Sequence, residues 1–213
     1  NSSEQWGDVK YSPQDENHPM SPRSPYGVSK CTASHISKVW REYYGLYVIH
    51  GILLNRESER RQDYFVTRKI SKGVARIQKA IRAGEKFEPI YLGNVDAKRD
   101  WSHALDFVAG IWKMMNQDSP KEYVLSSNET HTVREFIEKA FATVGINEGI
   151  WDGKGLNERY TLPEYLSEFG ELKSFDLVKI SPEFYRLADV ELLHGDSTKA
   201  RTELGWTPKI SFS

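Results

Sequence analysis

Tyr26 and Lys30 stand four residues apart just after Ser24-Pro25, a polar capping residue followed by one whose fixed φ suits a first helical turn. On a helix that spacing projects both side chains from one face, one turn apart. An ammonium held beside a phenol favours the phenolate, so the pair could extract a hydroxyl proton nearer neutral pH. The same spacing also fits a solvated helix face. Twenty-two positions before Tyr26 lies Glu4, preceded by Ser2 and Ser3. Standing alone, Glu4 reads as a helix cap or a solvated strand end, and the two serines as ordinary strand-end hydrogen-bonding groups.

Taken together, Ser2-Ser3-Glu4 and the later Ser21-Pro22-Arg23-Ser24-Pro25-Tyr26-Gly27 with Lys30 resemble the active-site stretch of the extended short-chain dehydrogenases/reductases. Within that superfamily the pattern is most similar to the GDP-mannose 4,6-dehydratases, which carry Thr or Ser, then Ser, then Glu at the three N-terminal positions. The dTDP-glucose dehydratases have Asp in the middle, where this chain has Ser3, and epimerases of the superfamily usually lack the Glu. The resemblance runs on in order through Gly51-Ile52-Leu53-Leu54-Asn55, Glu57-Ser58, Arg60-Arg61 and Phe65-Val66-Thr67-Arg68-Lys69-Ile70. It continues through Leu92-Gly93-Asn94, Arg99-Asp100-Trp101, Tyr185-Arg186, Gly195-Asp196, Lys199-Ala200 and Leu204-Gly205-Trp206-Thr207-Pro208.

The resemblance implies a reaction and assigns roles. Tyr26 would take the proton of a hexose C4 hydroxyl as the C4 hydride passes to NADP, with Ser2 hydrogen-bonding the same oxygen and Lys30 also binding the nicotinamide ribose. Oxidation acidifies the C5 hydrogen; Glu4 would remove it and hand a proton to the departing C6 hydroxyl, serving in turn as base and acid. The product of GDP-mannose is then GDP-4-keto-6-deoxy-mannose. Arg61 is implied as a cofactor contact, and Arg56 occupies a cofactor position where the family usually has His. Ser3, Asn55, Val66 and Lys69 are implied as substrate contacts, and Arg99, Arg186 and Asp189 as the grip on the diphosphate and ribose, Asp189 standing where the family has Glu. Arginine suits that task because its planar fork donates paired hydrogen bonds to phosphate. The basic run from Arg56 to Lys69 also reads as a solvated loop partly neutralised by Glu57, Glu59 and Asp63. Other nucleotide-sugar dehydratases, epimerases and a non-catalytic sugar-nucleotide-binding module are the competing readings.

Positioning such groups requires alternating helices and strands. Val28, Thr32, Ile36, Val39, Trp40 and Tyr43 recur at helical spacing up to Gly45, and Tyr47 to Leu54 is apolar enough for a strand covered on both faces. A second helix from about Tyr64 carries Val66, Ile70, Val74, Ile77 and Ile81 to Gly84. Ile90 to Leu92 and Tyr123 to Leu125 read as short strands. A helix near His103 to Asn116 is expected to bury Phe107, Val108, Ile111, Met114 and Met115. Thr132 and Glu135 form a capping box, and Ser197 opens a last helix closed by Gly205. Asn147 to Pro182 shows no sustained period and reads as loops with a short hairpin. Trp101 and Trp206 read as core.

The expected architecture is α/β: the later part of a doubly wound, Rossmann-type parallel sheet with a smaller α/β substrate-binding domain. Residues 1–63 would carry the remaining Rossmann portion and 64–213 mainly the sugar-nucleotide domain, with about 94–128 returning to the first. The 213 residues carry 29 Lys+Arg against 30 Asp+Glu and one cysteine. That balance supplies no basic field for nucleic acid, and the lone Cys31 leans toward a reducing, cytoplasmic setting. No apolar stretch approaches the roughly 20 residues of a membrane span. No metal is expected, because even the nearest histidines, His35 and His50, are fifteen positions apart. The chain begins with Asn1 and has no glycine-rich phosphate turn, so it is expected to be a segment of a longer enzyme, with on the order of 100 residues of βαβ units upstream. The isolated segment is then expected to be inactive and to hold NADP poorly. The helix bearing Tyr26 resembles one that pairs across subunits in this superfamily, implying a homodimer or homotetramer.

Overall fold

A computed structural model describes residues 1–166, 172–185 and 192–213. After a single 3-10 turn over Ser3–Gln5, the chain forms α1 (Pro25–Tyr44), β1 (His50–Leu53), β2 (Asn55–Glu57), α2 (Val66–Ala83) and β3 (Ile90–Leu92). Next come β4 (Lys98–Arg99), β5 (Trp101–His103), α3 (Ala104–Met115), β6 (Glu122–Leu125), β7 (His131–Thr132) and α4 (Val133–Ala142). The series ends with β8 (Ile150–Asp152), β9 (Arg159–Leu166), β10 (Leu172–Ile180) and α5 (Thr198–Leu204). Contacts divide these elements into two compact units: Asn1–Ser58, Ala97–His131 and Ala188–Ser213 form the first, Glu59–Asp96 and Thr132–Leu187 the second. The C-terminal segment, which the sequence reading places with the smaller domain, thus belongs with the first unit.

In the first unit β1 pairs parallel with β6, His50 opposite Glu122 and Leu53 opposite Leu125, while β2 pairs parallel with β5. Parallel neighbours need a crossover, and both pairs are joined by long connections, the one from β1 to β6 including α3. Ile52, Leu54, Val124 and Leu125 pack with Trp6, Phe107, Met114 and Trp206 in one core. At about 1.5–3 kcal/mol per fully buried large apolar side chain, this cluster is the dominant stabilising feature of the unit. Trp206 and Trp101 are both core residues, as expected from sequence.

The helix boundaries follow their signals. Ser24 Oγ accepts the Gly27 amide at 3.0 Å, Pro25 occupies the first turn, and Gly45 closes α1 at φ 63°, a left-handed conformation that glycine adopts without a Cβ clash. The capping box of α4 is formed in both directions between Thr132 and Glu135. The apolar stripe of α1 lies outward, and the buried face of α3 differs from expectation. Val28, Ile36, Val39, Trp40 and Tyr43 are exposed on α1, and its buried residues are Gly27 and Ser34. On α3, Phe107 and Met114 are buried with Asp106 and Gly110, whereas Val108, Ile111 and Met115 face outward. Apolar periodicity reports that a helix has a second face to cover, not which partner covers it.

In the second unit a four-stranded sheet runs β3-β10-β9-β8, with β10 parallel to β3 and antiparallel to β9. Its strands β8 to β10 lie where the sequence reads as loops with a short hairpin. The reason is visible in the register, which slips between Lys173 and Phe175 and again between Asp176 and Val178. Each slip resets the two-residue alternation on which a strand reading depends. The stripe Ile70, Val74 and Ile77 of α2, with Ile137 and Phe141 of α4 and Leu177 and Val178 of β10, is buried.

Candidate active site

The Ser2-Ser3-Glu4 segment forms the single 3-10 turn, whose start is capped by Ser2: its Oγ accepts the Glu4 amide at 3.3 Å. This turn packs on α1. A Cβ built on Gly27 would meet the Glu4 carbonyl oxygen at 2.7 Å, so only glycine lets the helix approach the peptide of Glu4 this closely. One turn on, the Cys31 thiol donates to the Gln5 carbonyl at 3.4 Å, and another turn on, Ser34 Oγ donates to Gln5 Oε1 at 2.7 Å. Gly27, Cys31 and Ser34 form one stripe of α1; Tyr26 and Lys30 form the stripe beside it. Lys30 Nζ lies 5.0 Å from the centroid of the Tyr26 ring, and Tyr26 remains 50% exposed, its phenol available to a ligand. Ser2, Ser3 and Gln5 are buried and Glu4 is half-buried. The turn is therefore fixed in the body of the unit, on the helix that carries the base candidate.

A buried polar cluster underlies this contact. Asn1 Nδ2, with two protons to give, lies 2.9 Å from Gln5 Oε1, 3.0 Å from the Lys30 carbonyl and within hydrogen-bonding reach of Ser34 Oγ, and the His50 imidazole lies 3.0 Å from Ser34 Oγ. Burial pushes the His50 imidazole down to about 4, so it is neutral at physiological pH. Gln5, Ser34 and His50 of this cluster were not singled out as site residues by sequence reasoning. The signal that could have found them is the stripe of small residues Gly27, Cys31 and Ser34, which marks a face that another backbone approaches.

Asn55 and Arg56 begin β2, one residue past the carboxyl end of β1, the end of a parallel strand at which ligands of open α/β sheets bind. Among the described residues Asn55 Oδ1 is buried without a hydrogen-bond partner, an acceptor that a ligand's donor could satisfy. Arg99 ends β4, and its neighbour Asp100 is fully buried, accepting the Ser127 amide at 2.9 Å and the Ser127 hydroxyl at 2.7 Å. Burial pushes the Asp100 carboxyl up to about 6. The Arg99-Asp100-Trp101 block thus combines a partly exposed cation with two core residues.

Arg61, Val66 and Lys69 lie in the second unit. The Arg61 guanidinium stacks 3.4 Å over the Phe65 ring, Val66 opens α2, and Lys69 Nζ sits 3.2 Å over the ring of Phe184. Burial lowers the Lys69 ammonium against the opposing pull of Glu183. Lys69, Lys72, Arg76, Tyr91, Glu183 and Phe184 line an open hollow. Arg186 and Asp189 lie outside the described residues. Among the described residues no group of His, Cys, Asp and Glu could hold a metal, and no helix is long and apolar enough to cross a membrane.

Residues 1–213 match the family model described as GDP-mannose 4,6 dehydratase. The chain is 43% identical over 210 residues to a GDP-mannose 4,6 dehydratase of Drosophila melanogaster, covering 99% of this chain and 50% of that protein. It is 42% identical over 212 residues to the human GDP-mannose 4,6 dehydratase, covering 99% and 53%. The chain therefore spans about half the length of the curated relatives it matches. Among solved structures, RMD from Pseudomonas aeruginosa complexed with NADPH superposes with a TM-score of 0.77 at 19% identity, covering 99% of this chain and 60% of that one. The dTDP-glucose 4,6-dehydratase DesIV of Streptomyces venezuelae, with NAD and TYD bound, gives 0.71 at 19% identity, covering 99% and 54%. These likenesses show a Rossmann-type α/β fold, as the sequence pattern implies.

Proposed function

Since this chain belongs to the GDP-mannose 4,6-dehydratase family, we propose that the whole protein converts GDP-mannose to GDP-4-keto-6-deoxy-mannose with loss of water. The observation that carries the reading is the packing of the Ser2–Glu4 turn directly on the Tyr26–Lys30 helix. A half-exposed phenol with an ammonium over its ring is a donor set that fits a nicotinamide ribose and a sugar hydroxyl side by side.

In this reading a nicotinamide cofactor of the NADP type, when bound, accepts the hydride from C4 and returns it to C6. Tyr26 takes the proton of the C4 hydroxyl, Ser2 donates a hydrogen bond to the same oxygen, and Lys30 holds the cofactor ribose. The C4 carbonyl acidifies C5. Glu4 removes the C5 proton, the C5=C6 double bond forms as the C6–O bond breaks, and Glu4 gives its proton to the leaving hydroxyl, which departs as water. C5 finally takes a proton exchanged with solvent. Asn55, Ser3, Val66, Lys69 and Arg99 orient the nucleotide sugar, together with Arg186 and Asp189. Arg61 and Arg56 hold the cofactor, Arg56 as a charged substitute for the family's usual His. A cytoplasmic setting and a homodimer or homotetramer belong to the same proposal.

The test is turnover of GDP-mannose by the full-length protein in deuterated water. The expected product carries deuterium at C5 and has lost oxygen at C6, and Glu4→Gln abolishes both changes. A product that keeps its C6 oxygen would mean an epimerase, and saturable binding without turnover a binding module; either overturns the proposal.

A further inference from the structure

Glu4 is the group that must meet C5, yet its position is set by its neighbour. Gln5 is 1% exposed and accepts three hydrogen bonds: its Oε1 accepts from Ser34 Oγ at 2.7 Å and from Asn1 Nδ2 at 2.9 Å, and its carbonyl accepts the Cys31 thiol at 3.4 Å. Two of these partners lie on α1, one turn apart. Ser34 is in turn tied to the Lys30 carbonyl at 3.1 Å and to His50 on β1 at 3.0 Å. An apolar side chain in this place would pack without specifying where along α1 the turn sits. A carboxamide with a single buried hydroxyl donor on the helix fixes that register, because a slip of one residue would leave a buried acceptor and donor unpaired.

Resting on the dehydratase reading above, we propose that Gln5 and Ser34 are positioning residues that key the Glu4 turn to the Tyr26–Lys30 helix, and that Glu4-dependent elimination depends on them more than Tyr26-dependent oxidation. Tyr26 and Lys30 are held by α1 itself and keep their geometry when the link is cut. Glu4 sits on a one-turn segment that meets α1 through this link, through the Cys31 thiol on the Gln5 carbonyl, through Asn1 on the Lys30 carbonyl and through the close approach at Gly27. Loss of the link therefore displaces the C5 base relative to the C4 base.

Gln5→Met keeps the length and removes the acceptor; Ser34→Ala removes the donor with little change in volume. In the full-length protein each is expected to lower kcat about tenfold while KM for GDP-mannose stays within about twofold, since misplacing a reacting group by a fraction of an ångström costs this much or more. The double variant is expected to lose no more than the worse single one, because both cut the same link. The distinguishing readout is partitioning at steady state. Reduced cofactor, followed by its near-ultraviolet absorbance, should build up on the variants, and C5 deuterium incorporation per oxidation event should fall. Both are ratios among active molecules and are unmoved by a lower folded fraction. Additive losses, an unchanged partition, or a larger isotope effect on the C4 hydrogen would overturn the proposal. Absence of C5 exchange in the unmodified protein would instead overturn the dehydratase reading.

Discussion

At the scale of single residues, burial separates groups with similar chemistry into opposite roles. Tyr26 is half exposed and open to a ligand, whereas Asp100 is sealed in the first unit with Ser127 as its hydrogen-bond donor. Because burial raises the Asp100 carboxyl to about 6, the folded protein holds a proton there at pH values where the unfolded chain, ionising near 4, has lost it. Native protein binds more protons than unfolded between these values, so this residue's contribution to stability falls as pH rises from about 4 to about 6. His50, lowered to about 4 by burial, contributes with the opposite slope over an overlapping window. The two must be separated by difference. Asp100→Asn keeps an oxygen for Ser127 and removes the titration, so the unmodified protein should gain on the variant by about 2 kcal/mol in denaturant melts as pH drops from 6 to 4. A pH-independent difference would show that Asp100 is ionised throughout.

At the scale of elements, the sequence was most legible where one residue type has one structural use. Ser24-Pro25 and Gly45 bound α1, Thr132 and Glu135 cap α4, and Ile90–Leu92 is a strand, because these signals are local. The buried face of α3 and the strands β8 to β10 were not legible, since both depend on what packs from far along the chain. The candidate site shares this division. Tyr26 and Lys30 follow from helix spacing, but the link from Gln5 to Ser34 joins residues 29 positions apart. Gly27 is where the two levels meet. Alanine there would favour the helix by up to about 1 kcal/mol, yet its Cβ would sit 2.7 Å from the Glu4 oxygen and 3.0 Å from Pro22 Cβ. The clash acts on the turn rather than on the core. Gly27→Ala is therefore expected to keep the melting temperature within a few degrees while kcat for GDP-mannose falls about tenfold or more, by the positional sensitivity of proton transfer. Activity within about twofold of the parent would show that the turn accommodates a methyl group and that the close approach is incidental.

At the scale of the whole molecule, each unit has its own core, and the first also carries an apolar face without a partner among the described residues. Val28, Ile36, Val39, Trp40 and Tyr43 lie exposed along α1, Tyr43 at 80%, on a helix that also carries the proposed base and, on its inner stripe, the link to the Glu4 turn. Scattered apolar residues on a surface need no explanation, but a contiguous stripe over a 20-residue helix marks an interface. Covered by a second copy through the same stripe, the face would form a two-fold contact in which each α1 packs on its counterpart. That arrangement would tie the oligomer to the site, since α1 is common to both. The full-length protein is then expected to sediment at a multiple of its chain mass. Trp40→Glu with Val39→Lys should shift it toward the single-chain mass and lower kcat as α1 loses its outer support, with recovery of both as protein concentration is raised. If the double variant keeps the parent's mass, α1 is covered by another part of the same chain and the oligomer uses a different face.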